Sequence, residues 1–138
     1  LVLKAALERS KVFITEARGK KVAFLREAAR RMGLTEGLSI AKARLGWDRN
    51  VHPPCEEVIS RAAFPPEEWI GLASGLIGAR GRIWVMLGHH AAEEYPQDPG
   101  AWLRRMPEGL AVEVDHEYVL PLTGAKRRLI GVRSVVTC

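Results

Sequence analysis

The last third of the chain sets the tightest limit on its fold. Residues 110–120 read LAVEVDHEYVL, alternating apolar and polar, with Leu110, Val112, Val114, His116 and Tyr118 on one side. PLTGAK then turns the chain, and RRLIGVRSVV returns. Alternation of this kind predicts a strand with one buried face, and so short a turn joins only antiparallel strands. The first two thirds follow another rhythm. KVFIT (11–15) is a short β-branched run, followed at once by a helical pattern in which Val22, Leu25, Ala29 and Met32 recur at helical spacing until Gly33 ends it. LSIAKA (38–43) alternates like a strand, RLGWDRNVHPPCE is a loop, and EVISRAAF reads as a second buried run. Pro65, Pro66, Glu67 and Glu68 carry the chemistry of a helix's first turn, with Trp69, Leu72, Ala73 and Leu76 continuing it, and GRIWVMLG (81–88) is strand-like. Strand, helix, strand, strand, helix, strand predicts an α/β fold with a doubly wound, mostly parallel sheet covered by helices. The hairpin then closes it as an antiparallel edge.

Composition narrows the class. With 138 residues, 47% hydrophobic and 27% charged, and with neither an internal repeat nor a shift in composition, the chain reads as a single domain over residues 1–138. It has no apolar run long enough for a bilayer and no signal-peptide pattern at Leu1, so the expected location is cytoplasmic and no membrane role is expected. Cys55 and Cys138 stand far apart and are expected to be reduced thiols. A net charge of +5 favours a polyanionic partner. The basic segment RGKKVAFLREAARRMGL (18–34) is either part of such a contact or the solvated side of a helix. His52, His89, His90 and His116 match no zinc spacing, so no metal is expected. Ser60 and Ser74 lack a nucleophile-elbow context. GLASGLIGARG (71–81) is glycine-rich, but it lies late in a helix and in the turn to the next strand rather than after a strand and before a helix, so it reads as packing and capping.

Glu16, at the end of VFIT, stands where nucleotide-binding α/β folds place an acid to accept hydrogen bonds from ribose hydroxyls. It is equally an acid at a helix N-terminus, favoured by the dipole. Arg61 lies inside a run that reads as buried, where a charge is costly unless paired, so a partner is expected nearby.

A doubly wound sheet ending in an antiparallel hairpin is the plan of S-adenosylmethionine-dependent methyltransferases. GKKVAFLREAARRMGL, VISRAAF and YVLPLTGAKRRLIGVR resemble, in this order, segments of the glucose-inhibited division protein B family, also called RsmG. That family consists of bacterial enzymes that methylate guanine N7 in small-subunit ribosomal RNA. The resemblance extends over nearly the whole chain. It implies S-adenosyl-L-methionine as cofactor and small-subunit ribosomal RNA, or the assembled subunit, as partner.

By the same resemblance Glu16, Ala17, Leu45, Gly46 and Arg61 line the cofactor site, Arg61 and Arg44 are the catalytic candidates, and Lys20, Lys21 and Arg127 contact RNA. For Arg61 a structural ion pair is the alternative. Three departures stand out. The family's glycine-rich turn after its first strand has no counterpart among the 13 glycines, so the chain is expected to be the carboxyl-terminal portion of such an enzyme, its central first strand absent and two neighbouring strands left unpaired. Without that motif the chain alone is expected to be inactive. Leu45 and Gly46 replace a segment that usually carries an acid near the adenine, leaving backbone contact as the means of recognition. Leu87 stands where the family has lysine. These departures motivate a rival reading, a non-catalytic RNA-binding or scaffold relative; a methyltransferase for a small molecule is a third. Guanine N7 offers an in-plane lone pair and no proton, so the expected chemistry needs positioning and exclusion of water rather than a general base.

Overall fold

The computed structural model describes residues 1–46, 48, 52–61, 64–88 and 106–135. Its elements are α1 (Val2–Ala6), β1 (Val12–Glu16), α2 (Gly19–Arg31), β2 (Leu38–Lys42), β3 (Cys55–Arg61), α3 (Pro66–Ser74), β4 (Ile77–Leu87), β5 (Leu110–Val119) and β6 (Lys126–Ser134). They fall into two compact units, Leu1–His52 and Pro53–Cys138. No helix among the described residues is long and apolar enough to cross a membrane.

The first unit is a βαβ unit preceded by α1. β1 and β2 pair in parallel from Val12–Leu38 to Glu16–Lys42, which requires the crossover that α2 supplies. Register puts Val12 and Ile14 on one face with Leu38 and Ile40, and Phe13 and Thr15 on the other with Ser39 and Ala41. α2 buries Val22 and Ala29, and Ala29 lines a shallow groove with Leu38 and Ile40. Met32, expected on that apolar stripe, is instead the helix C-cap and 54% exposed. Gly33 follows with a φ of 68°, a left-handed conformation that ends helices. Lys4 is buried and has no carboxylate partner among the described residues; its Nζ donates to the carbonyls of Glu8 at 2.6 Å and Ser10 at 2.9 Å. That ammonium satisfies carbonyls of the turn between α1 and β1.

The second unit is a four-stranded sheet in the order β3-β4-β6-β5, with β3 and β4 parallel and the β4–β6 and β5–β6 pairs antiparallel. β5 is therefore the edge, and β6 inserts beside β4. Ile83, Val85, Leu87, Ile130 and Val132 are buried, as are Trp69, Ile70 and Ala73 of α3, which packs on β4. Trp69 Nε1 donates to the Trp84 carbonyl at 3.0 Å and fixes the helix to the strand. Among the described residues β1 pairs only with β2, and β3 only with β4.

Two details differ from the sequence reading. β4 begins at Ile77, so the glycine-rich stretch enters the strand instead of ending in a turn. Pairing jumps from Cys55–Ile77 to Glu57–Arg82, and a Cβ at Gly81 inside this irregularity would lie 2.5 Å from Ile77 Cβ and 2.9 Å from the Cys55 carbonyl. Gly81 therefore serves close backbone packing, and Gly75 is the C-cap of α3, in line with the reading of this stretch as packing and capping. In β5 the register shifts between Val112, opposite Val132, and Val114, opposite Gly131. The extra residue, Glu113, reverses the alternation, so Leu110 and Val112 face the opposite side from Val114, His116 and Tyr118.

The register set by the hairpin turn, with Glu117 opposite Arg128 and Asp115 opposite Ile130, puts Asp115 on the face of Arg128. The guanidinium donates to both carboxylate oxygens, at 2.7 and 2.6 Å, with Arg128 2% exposed. Asp115, chiefly through these hydrogen bonds, raises the Arg128 pKa further. Removing one partner leaves a buried charge poorly compensated. Asp115→Ala is expected to cost about 3 kcal/mol of stability in urea unfolding, and a loss close to zero would show that the pair is dispensable.

Candidate functional site

The first unit gathers most of the expected cofactor residues at one end of its sheet. Glu16 closes β1 with its side chain 23% exposed. Its Oε1 accepts the Arg18 backbone N–H at 2.8 Å, and its Oε2 lies 3.6 Å from Lys21 Nζ. The Arg18 N–H chiefly, and the Lys21 ammonium after it, hold the carboxyl below its ordinary range against an opposing effect of desolvation. An ionised carboxylate offers about four acceptor positions, so capacity remains for hydroxyl donors. The two readings of Glu16 are thus compatible: it meets a backbone N–H at the entrance of α2 and still faces outward. Ala17 and Lys20 are exposed beside it.

Ala43 N–H donates to the Glu16 carbonyl at 3.2 Å, which carries the pairing past β2 and makes residues 44–46 depart next to Glu16. There Arg44 is exposed, and its backbone N–H donates to Asp48 Oδ2 at 2.7 Å, closing a tight turn. Gly46 sits at a φ of 87° and is exposed, while Leu45 is half-buried. Backbone at Gly46 is therefore open to approach.

The second unit presents its own end of sheet. Arg61 is the last residue of β3; contrary to the expected burial with a partner nearby, it is exposed and has no partner among the described residues, so the alternative of a structural ion pair is not seen there. The reason is position: among the described residues β3 pairs only with β4 and has no fully buried residue, so its terminal charge is not taken out of water. Register aligns Arg61 with Met86 and Met86 with Leu129, so Arg61 shares a face and an end of the sheet with Arg127. Arg127 is half-buried and donates to the Lys126 carbonyl at 2.8 Å. Leu87 is 4% exposed and lies opposite Arg128 on the other face.

Three polar arrangements escaped the sequence reading. Asp115 and Arg128 share a face by the register that the hairpin turn sets, a match between two strands that the alternation within either strand does not show. Thr15 Oγ1 hydrogen-bonds His52 Nε2 across 37 positions, which no local pattern reveals. Lys4 lies on a five-residue helix too short to show periodicity. His89, His90 and Cys138 lie outside the described residues; Cys55 is a free thiol whose pKa burial raises.

The lowered pKa of Glu16 has a definite sign in stability. Its contribution is present above the ordinary carboxylate value of 4.5 and is lost as pH falls through the lower folded value. A carbon-detected NMR titration should therefore give Glu16 a midpoint below that value, and Lys21→Ala should move the midpoint upward. A midpoint at or above the ordinary value would contradict the geometry described here.

Comparison with known proteins places the chain. It matches the sequence profile of GidB, rRNA small subunit methyltransferase G, over residues 1–118. The ribosomal RNA small subunit methyltransferase G of Myxococcus xanthus is 33% identical over 132 residues, covering 94% of this chain and 58% of that protein. The chain spans about half the length of the curated relatives it matches. Among solved structures, TrmN from Thermus thermophilus superposes with a TM-score of 0.64 at 21% identity, over 96% of this chain and 40% of that one. SMU.1697c, a putative methyltransferase from Streptococcus mutans in complex with SAH, gives 0.57 at 11%, over 90% and 76%. These two likenesses concern the fold, which is that of methyltransferases with a mostly parallel sheet and an antiparallel ending. On the profile match and the sequence identity together, the chain belongs to the GidB family, rRNA small subunit methyltransferase G.

Proposed function

We propose that this chain handles S-adenosylmethionine and guides methyl transfer to guanine N7 of small-subunit ribosomal RNA, residues 1–138 forming one methyltransferase domain. The observation that carries the cofactor half is the adjacency of Glu16 to residues 44–46, through the Ala43–Glu16 hydrogen bond. It sets an ionised carboxylate with spare acceptor capacity beside exposed backbone, a donor set suited to a ribose diol and an adenine edge. SMU.1697c, which shares the fold, binds SAH.

When bound, the cofactor supplies an electrophilic methyl group on a sulfonium. The protein's own contribution is placement. Glu16 orients the ribose, backbone at Leu45 and Gly46 meets the adenine, and Ala17 bounds the site. Arg44, just past β2, and Arg61, which ends β3, are both exposed and hold the incoming nucleotide by its phosphates or its guanine edge. Lys20, Lys21 and Arg127 add contacts with the RNA backbone, in keeping with the net charge of +5. Ribosomal RNA or an assembled subunit in the cytoplasm is the matching partner. Leu87 packs in the core opposite Arg128, so a basic residue lost there alters packing rather than an exposed phosphate contact. That supports the catalytic reading over a non-catalytic RNA-binding relative.

Two measurements test it. Calorimetric titration with S-adenosylhomocysteine should show affinity lowered about tenfold or more by Glu16→Gln, the loss of hydrogen bonds to a charged acceptor; equal affinities would remove Glu16 from the site. A protein that carries this chain together with the glycine-rich turn, given tritiated S-adenosylmethionine and small-subunit RNA or assembled subunits, should yield N7-methylguanine, with turnover reduced about tenfold or more by Arg61→Ala. A folded protein giving no N7-methylguanine on either substrate would defeat the methyl-transfer reading.

A further inference from the structure

His52 sits within the first unit, against the face of β1 and β2 that α2 does not cover. Its Nε2 hydrogen-bonds Thr15 Oγ1, its ring centroid lies 5.3 Å from that of Phe13, and its Nδ1 is buried with no hydrogen-bond partner among the described residues. Thr15 immediately precedes Glu16, and the two side chains point to opposite faces of the strand. The end of β1 is thus held from one side through Thr15 and carries its carboxylate on the other.

The lone partnerless nitrogen selects the protonation state. A bare lone pair on Nδ1 costs less than a buried N–H without an acceptor, so the ring is neutral with its proton on Nε2, donated to Thr15. Protonation would place a charged N–H on that buried nitrogen. Among the described residues, charge elsewhere around the ring does not compensate. The face it covers presents Phe13, Thr15, Ser39 and Ala41; Glu16 and Lys42 lie on the other face, as does α2 with Arg26, which bonds the Ile40 carbonyl, while Lys11 lies ahead of β1. Burial accordingly lowers the His52 pKa.

We propose that His52 is a positioning residue for Glu16: its neutral imidazole pins Thr15 and so holds the end of β1 in the geometry that presents the carboxylate to the cofactor. The inference rests on the cofactor reading of Glu16. It makes cofactor affinity depend on a histidine that touches no cofactor atom. Because the folded state disfavours the protonated ring, the clamp is intact above the unfolded histidine value of about 6.5. It is lost as pH falls through the lower folded value. Glu16, held below the ordinary carboxylate range, stays ionised throughout that window.

The test joins two readouts on the whole chain. Long-range proton–nitrogen NMR should show His52 as the neutral Nε2-protonated tautomer at about pH 7.5, titrating below about 6.5; the other tautomer or a raised midpoint overturns the proposal. Calorimetry with S-adenosylhomocysteine should show affinity falling about fivefold between roughly pH 7.5 and 5.5. His52→Ala should lower affinity by a similar factor at the higher pH. His52→Gln, which keeps a donor for Thr15, should restore affinity there and abolish the pH dependence, with near-ultraviolet circular dichroism confirming the fold of each variant. Affinity that is independent of pH in the unaltered chain, or a His52→Gln variant that retains the unaltered chain's pH dependence, overturns the clamp while leaving the cofactor reading standing. Equal affinity of the Glu16→Gln variant and the unaltered chain removes the cofactor reading and the clamp with it.

Discussion

Parallel pairing is the constraint on which the rest of this molecule depends. Parallel neighbours cannot be joined by a tight turn, so β1 with β2 and β3 with β4 each require a long connection, and α2 and α3 supply them. The same constraint brings the carboxyl ends of paired strands to one end of their sheet, where the chain leaves regular structure and side chains are free to meet a ligand. Glu16 and residues 44–46 occupy such an end in the first unit. Arg61 occupies one in the second, with Arg127 delivered to it by an antiparallel strand running the other way.

Buried polar groups are handled differently in each region. Lys4 is satisfied by carbonyls, Arg128 by a carboxylate in bidentate contact, and His52 by a hydroxyl on one nitrogen alone. The first two arrangements keep a charge satisfied and so stabilise one conformation. The third is complete only for an uncharged ring, which makes it the one of the three whose integrity depends on pH in the physiological range. Its location next to Glu16 is what links that property to the site.

Much of the fold was legible because its signals are local. The β-branched run before α2, the spacing of Val22, Leu25 and Ala29, the Pro-Pro-Glu-Glu entry to α3 and the hairpin turn each depend on neighbours a few residues apart. Legibility failed where an extra residue changed parity. Glu113 splits a pattern that alternates in sequence into two faces in space, and the irregularity around Gly81 turns an apparent helix ending into the start of β4. For the candidate site, the places of Glu16 at the end of β1 and of Arg44 just past β2 could be read from the sequence. The exposure of Arg61 could not, because a run of apolar letters does not reveal how far its strand is buried.

The sequence by itself determined the order and kind of the elements and the family to which the chain belongs, since both are written in short-range spacing and in motifs of a few residues. Tertiary structure decided which charges are buried, which strands are edges, and that a histidine 36 residues beyond Glu16 braces the strand that carries it. Those outcomes come from register and from contacts between distant segments, whose energies depend on burial and on the partner a polar atom finds once the chain has closed on itself.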